Sequence, residues 1–104
     1  MKFELSRNEN GTLVAQADAP SWRQGDALVK YLKREFSARI IDKAEGPDAR
    51  MWKLKVSDKE ITVHQWDTGD ISFFGSRSDD DLVTRLAKAL HDLSDNENPS
   101  KTNA

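Results

Sequence analysis

The sequence predicts an α+β domain with the element order ββαββββα, and three observations carry that expectation. Short segments alternate apolar and polar residues, most clearly at 51–56 and 61–66, the pattern of a strand that buries one face. Two longer segments repeat apolar residues at i, i+4 and i+8, the spacing of one helical face. Turn sequences carrying glycine, NENG, GPD and DTG, separate the strands.

The first two strands, KFELS and TLVAQA, flank RNENG and read as a hairpin. A three-residue loop of Glu9, Asn10 and Gly11, with Gly11 left-handed, sets Leu5 opposite Ala15 and Phe3 opposite Ala17. A two-residue Asn-Gly turn would set Leu5 against Gln16, a poorer hydrophobic match, so the longer loop is expected. The first helix starts after Pro20, where Ser21 as N-cap and Gln24 three residues on form a capping box that satisfies otherwise orphaned N–H groups. It runs to about Phe36 and buries Leu28, Val29, Leu32 and Phe36, while Arg23, Lys30, Lys33 and Arg34 lie on another side.

ARIIDKAE and RMWKLKVS follow as strands joined by Gly46-Pro47-Asp48. In the second, Trp52, Leu54 and Val56 point one way and Met51, Lys53 and Lys55 the other. A short Asp58-Lys59 connection would set Val56 opposite Ile61, Leu54 opposite Val63 and Trp52 opposite Gln65. The next hairpin turns on Asp67-Thr68-Gly69, which sets Val63 opposite Phe73 and Gln65 opposite Ile71. SDDDLVTRLAKALHDL then reads as a helix with Ser78 as N-cap, Asp81 completing its capping box, and Leu82, Leu86, Ala89 or Leu90, and Leu93 on its buried face. An antiparallel sheet commonly buries one face and wets the other, so both helices are expected on the Trp52/Leu54/Val63/Phe73 face of a two-layer fold. Residues 1–94 make one compact unit, and 95–104 a mobile polar tail without a large apolar side chain.

Composition narrows the function. A formal charge of −2 disfavours generic phosphate binding, which calls for a basic domain or stripe. Zero cysteines remove disulfides, thiolate nucleophiles and cysteine zinc sites together and suit a reducing compartment. The N-terminus has no signal-peptide apolar core, and no apolar run approaches the roughly 18 residues that span a membrane. A cytoplasmic protein is expected.

The face opposite the core is the unusual one. It collects Met51, Lys53 and Lys55, then Thr62, His64 and Trp66, then Ser72 and Phe74, where plain polar residues would suffice. Candidate binding residues are therefore Met51, Lys53, His64, Trp66 and Phe74. Aromatic side chains beside cations on an open sheet can anchor a protein partner or a second copy of the chain, because they bury much area at low entropy cost. They can also stack single-stranded nucleic acid, with Lys53, Lys55 and Arg39 on phosphates. The structural alternative is that Trp66 and Phe74 only pack across strands against Met51 and Thr62, or lie under a terminus.

Chemical motifs are weaker. The aspartates of Ser78–Asp81 lack the glycine and distal glutamate of a calcium loop and are explained as first-turn acids that favour the helix dipole. HQWD lacks the HExxH spacing, GSRS lacks the GxSxG elbow, and no glycine loop cradles phosphate. His91 near a helix C-terminus is accounted for by the dipole, and His64 beside Lys53 should resist protonation. Charge is unevenly placed, with cations gathered between Leu28 and Arg39 and carboxylates between Ser78 and Asn98. A non-catalytic protein-binding module without metal or cofactor is the first reading. A nucleic-acid-binding sheet is the second, and an enzyme using His64 with a carboxylate such as Asp70 the third.

Overall fold

In a computed structural model, which describes residues 2–96 apart from the side chains of Arg77 and of 91–96, the chain forms one six-stranded antiparallel sheet and two α-helices in the order ββαββββα. The strands are β1 (Glu4–Arg7), β2 (Leu13–Asp18), β3 (Arg39–Glu45), β4 (Ala49–Val56), β5 (Lys59–Trp66) and β6 (Asp70–Phe74). The helices are α1 (Trp22–Phe36) and α2 (Asp80–Asn96), the latter entered through a 3₁₀ turn at Arg77–Asp79. Across the sheet the strand order is β1-β2-β6-β5-β4-β3. A meander of β3 to β6 is thus extended by the N-terminal hairpin, and α1 carries the chain from β2 to the far edge.

Local chemistry sets the elements. Asn8 N–H donates to the Thr12 carbonyl at 3.0 Å and Gly11 takes φ 80°, which closes the first hairpin in the expected register with Leu5 opposite Ala15. Ser21 and Gln24 cap α1 reciprocally, and Ser37 in the left-handed region ends it. Gly69 at φ 101° closes the β5–β6 hairpin, again in the expected register, with Val63 opposite Phe73 and Gln65 opposite Ile71.

Two local expectations are corrected. The β4–β5 turn sits one residue earlier than the sequence suggested: Ser57 and Asp58 make the loop, Ser57 takes φ 58°, and the pairs are Val56 with Lys59, Leu54 with Ile61 and Trp52 with Val63. A positive φ at the first position of a two-residue loop matches strand twist, and Ser57 supplies it. Because the change in register sum is even, every side chain keeps its face. The second correction is the cap before α2. Ser76, not Ser78, holds it: the Ser76 hydroxyl donates to the Asp79 carboxylate at 2.8 Å, and Lys59 Nζ donates to the same carboxylate at 2.9 Å. These partners hold the Asp79 carboxyl below its ordinary range, the Lys59 bond contributing most and the Ser76 hydroxyl next.

The buried side chains of both helices and of one sheet face form a single core. Leu28, Val29 and Leu32 from α1 and Leu82, Val83, Leu86, Ala87 and Leu90 from α2 join Trp52, Leu54, Val56, Ile61, Val63, Ile71 and Phe73. Phe36, expected in the buried stripe, is only partly buried against it. α2 continues through Asn96, so the expected boundary at residue 94 falls inside the helix. The roles expected for the His91 and Leu93 side chains, and for the tail from 97 onward, lie outside the described residues.

Candidate functional site

Strand alternation places the second residue set on the face away from this core, and the register orders it into rows. One row across all six strands reads Glu4, Gln16, Ser72, His64, Met51, Ala44, and the next reads Ser6, Val14, Phe74, Thr62, Lys53, Asp42. Trp66 stands opposite Ala49 in the row above, beyond which Asp18 faces Asp70. Below, Lys55 lies between Glu60 and Arg39.

The five predicted residues meet here. His64 is the hub: its ring lies edge-on to Trp66 at 5.8 Å and to Phe74 at 5.7 Å, and Met51 is its direct cross-strand partner. Trp66 remains 45% exposed, whereas Phe74, Met51, Lys53 and His64 are half-buried. Edge-on aromatic pairs stabilise one another by about 0.5–1.5 kcal/mol beyond area burial, so each ring favours the placement of its neighbour.

The electrostatics of His64 differ from expectation in cause. Lys53 is a diagonal neighbour, opposite Thr62, and burial against the rings is what pushes the imidazole below its ordinary value near 6.5. A folded state that resists the proton loses ground to the unfolded state as pH falls below about 6.5, where the unfolded imidazole charges first. Denaturant midpoints should therefore decline between neutral pH and the depressed pKa of His64. In His64→Gln that part of the decline should vanish, and a proton NMR titration of His64 at or above 6.5 would contradict the assignment.

His64 lies between Met51 and Ser72 along its row and against the rings of Trp66 and Phe74, and among the described hydrogen bonds no carboxylate, Asp70 included, holds it. No group of three His, Asp or Glu side chains among the described residues is placed to hold a metal ion. A cleft of about 630 Å³ borders the platform where Phe74, Thr62 and Lys53 meet Lys59, Ser76 and Asp79. Its lining mixes cations with Asp58, Glu60 and Asp79, which gives no net preference for an anion.

Sequence reasoning passed over two residues that shape the same end of the sheet. Arg50 is sandwiched between Trp52 at 4.6 Å and Trp22 at 5.3 Å, pairs with Asp26 and Glu45, and donates to the Trp22 carbonyl. Gln65 is fully buried, its Nε2 donating to the Ser21 carbonyl at 2.8 Å. Its core-face parity with Ile61 and Val63 was the available signal. Between Trp22 and Trp66 a cleft of about 60 Å³ opens over Gln65, with room for a few water molecules. No known protein family, curated protein or solved structure matches this chain. No helix among the described residues is long and apolar enough to cross a membrane.

Proposed function

We propose that the chain is a non-catalytic binding module of a reducing, cytoplasmic compartment that engages another protein, or a second copy of itself, through the open sheet face centred on His64 and Trp66. The observation that supports this reading is the half-exposed Trp66 braced by His64, with Met51 and Phe74 alongside, on a face to which neither helix contributes core contacts. A large ring fixed by its neighbours loses little entropy on burial, which is what makes such a residue an interface anchor. A phosphate-binding sheet is the second reading, supported by Lys53, Lys55 and Arg39 in one corner. Asp42 opposite Lys53 and Glu60 opposite Lys55 weaken that corner's positive field.

Trp66→Ala tests the reading. The variant should keep its thermal stability to within about 1 kcal/mol, because the side chain is nearly half in solvent. It should also lose the partner that the wild-type chain retains in a pull-down at high salt. Captured nucleic acid that washes off with salt would favour the second reading, since phosphate contacts weaken steeply as counterions are added. A large drop in melting temperature would instead make Trp66 part of the fold.

A further inference from the structure

We propose that the partner of the open face is a second copy of this chain, docked face to face about a two-fold axis that runs along the diagonal from Val14 through Phe74 and His64 to Ala49. The inference rests on the binding-face reading above and names its occupant. Its ground is the symmetry of the pattern. The apolar positions Val14, Phe74, Met51, Trp66 and Ala49, with the His64 ring among them, follow that diagonal, which spans three strand spacings and four residues, about 14 Å by about 14 Å. On one side of it lie Asp18 and Asp70, and on the other Lys53, Lys55 and Arg39.

A two-fold axis in the plane of contact exchanges the two sides. Each copy then sets Asp18 and Asp70 over the other's Lys53, places Trp66 over the other's Met51, and leaves His64 near the axis. Apolar meets apolar and acid meets base, which is the requirement for an isologous interface made from one patch. Because the diagonal runs at about 45° to the strands, the strands of the two copies cross near a right angle, one of the two ways in which sheets pack.

The isolated chain carries a matching anomaly. Asp18 and Asp70 are directly opposite in the β2–β6 ladder, an arrangement of like charges that costs stability. Among the described residues neither is in a salt bridge, and Lys53 is in none either. A second copy supplies the missing counter-charge to both. An unrelated partner could do so only by carrying the inverse pattern, which this chain already has. Asp42 and Glu60 beside the basic corner moderate the attraction. The six-strand footprint, roughly 24 Å wide and 20 Å long, buries on the order of 1,000 Å² over both copies, the low end for a specific interface, so the dimer should be reversible and concentration-dependent.

Sedimentation velocity of the full chain between about 1 and 500 µM tests this, with Asp18→Lys, Lys53→Asp and Trp66→Ala alongside and circular dichroism confirming that each variant folds. The wild type should pass from monomer to dimer, and each variant alone should dissociate about tenfold more readily or worse, since the charge reversals juxtapose like charges. An equimolar mixture of Asp18→Lys with Lys53→Asp should restore wild-type association, because both symmetric contacts are then attractive again. A wild type that stays monomeric throughout, a dimer indifferent to both reversals, or a mixture that fails to recover would each overturn the proposal. A monomeric wild type that still loses another protein on Trp66→Ala would overturn only the identity of the partner and leave the binding-face reading standing.

Discussion

Trp52→Ala should destabilise the protein by about 3–5 kcal/mol, the cost of deleting a large buried aromatic and leaving a cavity. Trp52 is 2% exposed and faces Val63 across the β4–β5 ladder. Arg50 lies over its ring at 4.6 Å and Lys43 at 5.9 Å, so truncation also strips two cations of their aromatic partner. A domain of this size holds only about 5–15 kcal/mol in all, and each kcal/mol moves the melting temperature by about 4–8 °C. The expected result is a fall of at least about 12 °C or a chain that no longer folds at ambient temperature. The comparison with Trp66→Ala is the informative one, because the two tryptophans stand on opposite faces of neighbouring strands. A nearly unchanged melting curve for Trp52→Ala would mean that the core lies on the other face.

That face assignment was legible in the sequence because alternation is a property of the strand itself, independent of what packs on it. The same holds for the two hairpins whose glycines, Gly11 and Gly69, accept the positive φ their loops demand. The β4–β5 register was misread because the residue that turns there is Ser57, and nothing in serine's chemistry advertises a left-handed conformation. The helix cap was misread for a different reason. Ser76 with Asp79 and Ser78 with Asp81 offer the same local signal, and the choice is made by Lys59, which reaches the Asp79 carboxylate from β5. A contact between residues 20 apart in sequence leaves no trace in a local motif.

That Met51, Lys53, His64, Trp66 and Phe74 share one face of the sheet was legible, since it follows from parity alone. Their mutual geometry was not, because His64 meets Met51 only in the observed register, and with the expected turn its neighbour across the ladder would have been Lys53. The order of the strands was also out of reach. Placing β2 beside β6 brings Val14 next to Phe74 and Asp18 next to Asp70, and both the apolar diagonal and the like-charge pair depend on it. Arg50 was hidden because its two aromatic partners, Trp22 and Trp52, come from different elements, and only the packing of α1 against β4 brings all three together.

Gly25→Ala is the second substitution with a large expected effect, and it couples the core to the binding face. Glycine inside a helix costs about 1 kcal/mol relative to alanine, so its presence as the fourth residue of α1 calls for a packing reason. A Cβ at this position would overlap the Gln65 amide oxygen, lie 2.7 Å from Gln65 Cδ and 3.0 Å from Trp52 Cη2. Gln65 cannot withdraw freely, because its amide nitrogen is bonded to the Ser21 carbonyl at the start of the same helix. The overlap should outweigh the gain in helix propensity and leave the variant about 1–3 kcal/mol less stable. The double variant Gly25→Ala with Gln65→Ala isolates the cause: relief of the overlap should make its loss smaller than the sum of the single losses by about 1 kcal/mol or more, while strict additivity would place the strain elsewhere. Gln65 and Trp66 are consecutive on β5 and point to opposite faces, so any part of the displacement that reaches the backbone moves the exposed indole as well. Gly25→Ala should therefore weaken association through the open face although it touches no residue on it, and a variant that is destabilised yet associates with wild-type affinity once folded would show that the two faces of β5 are mechanically independent.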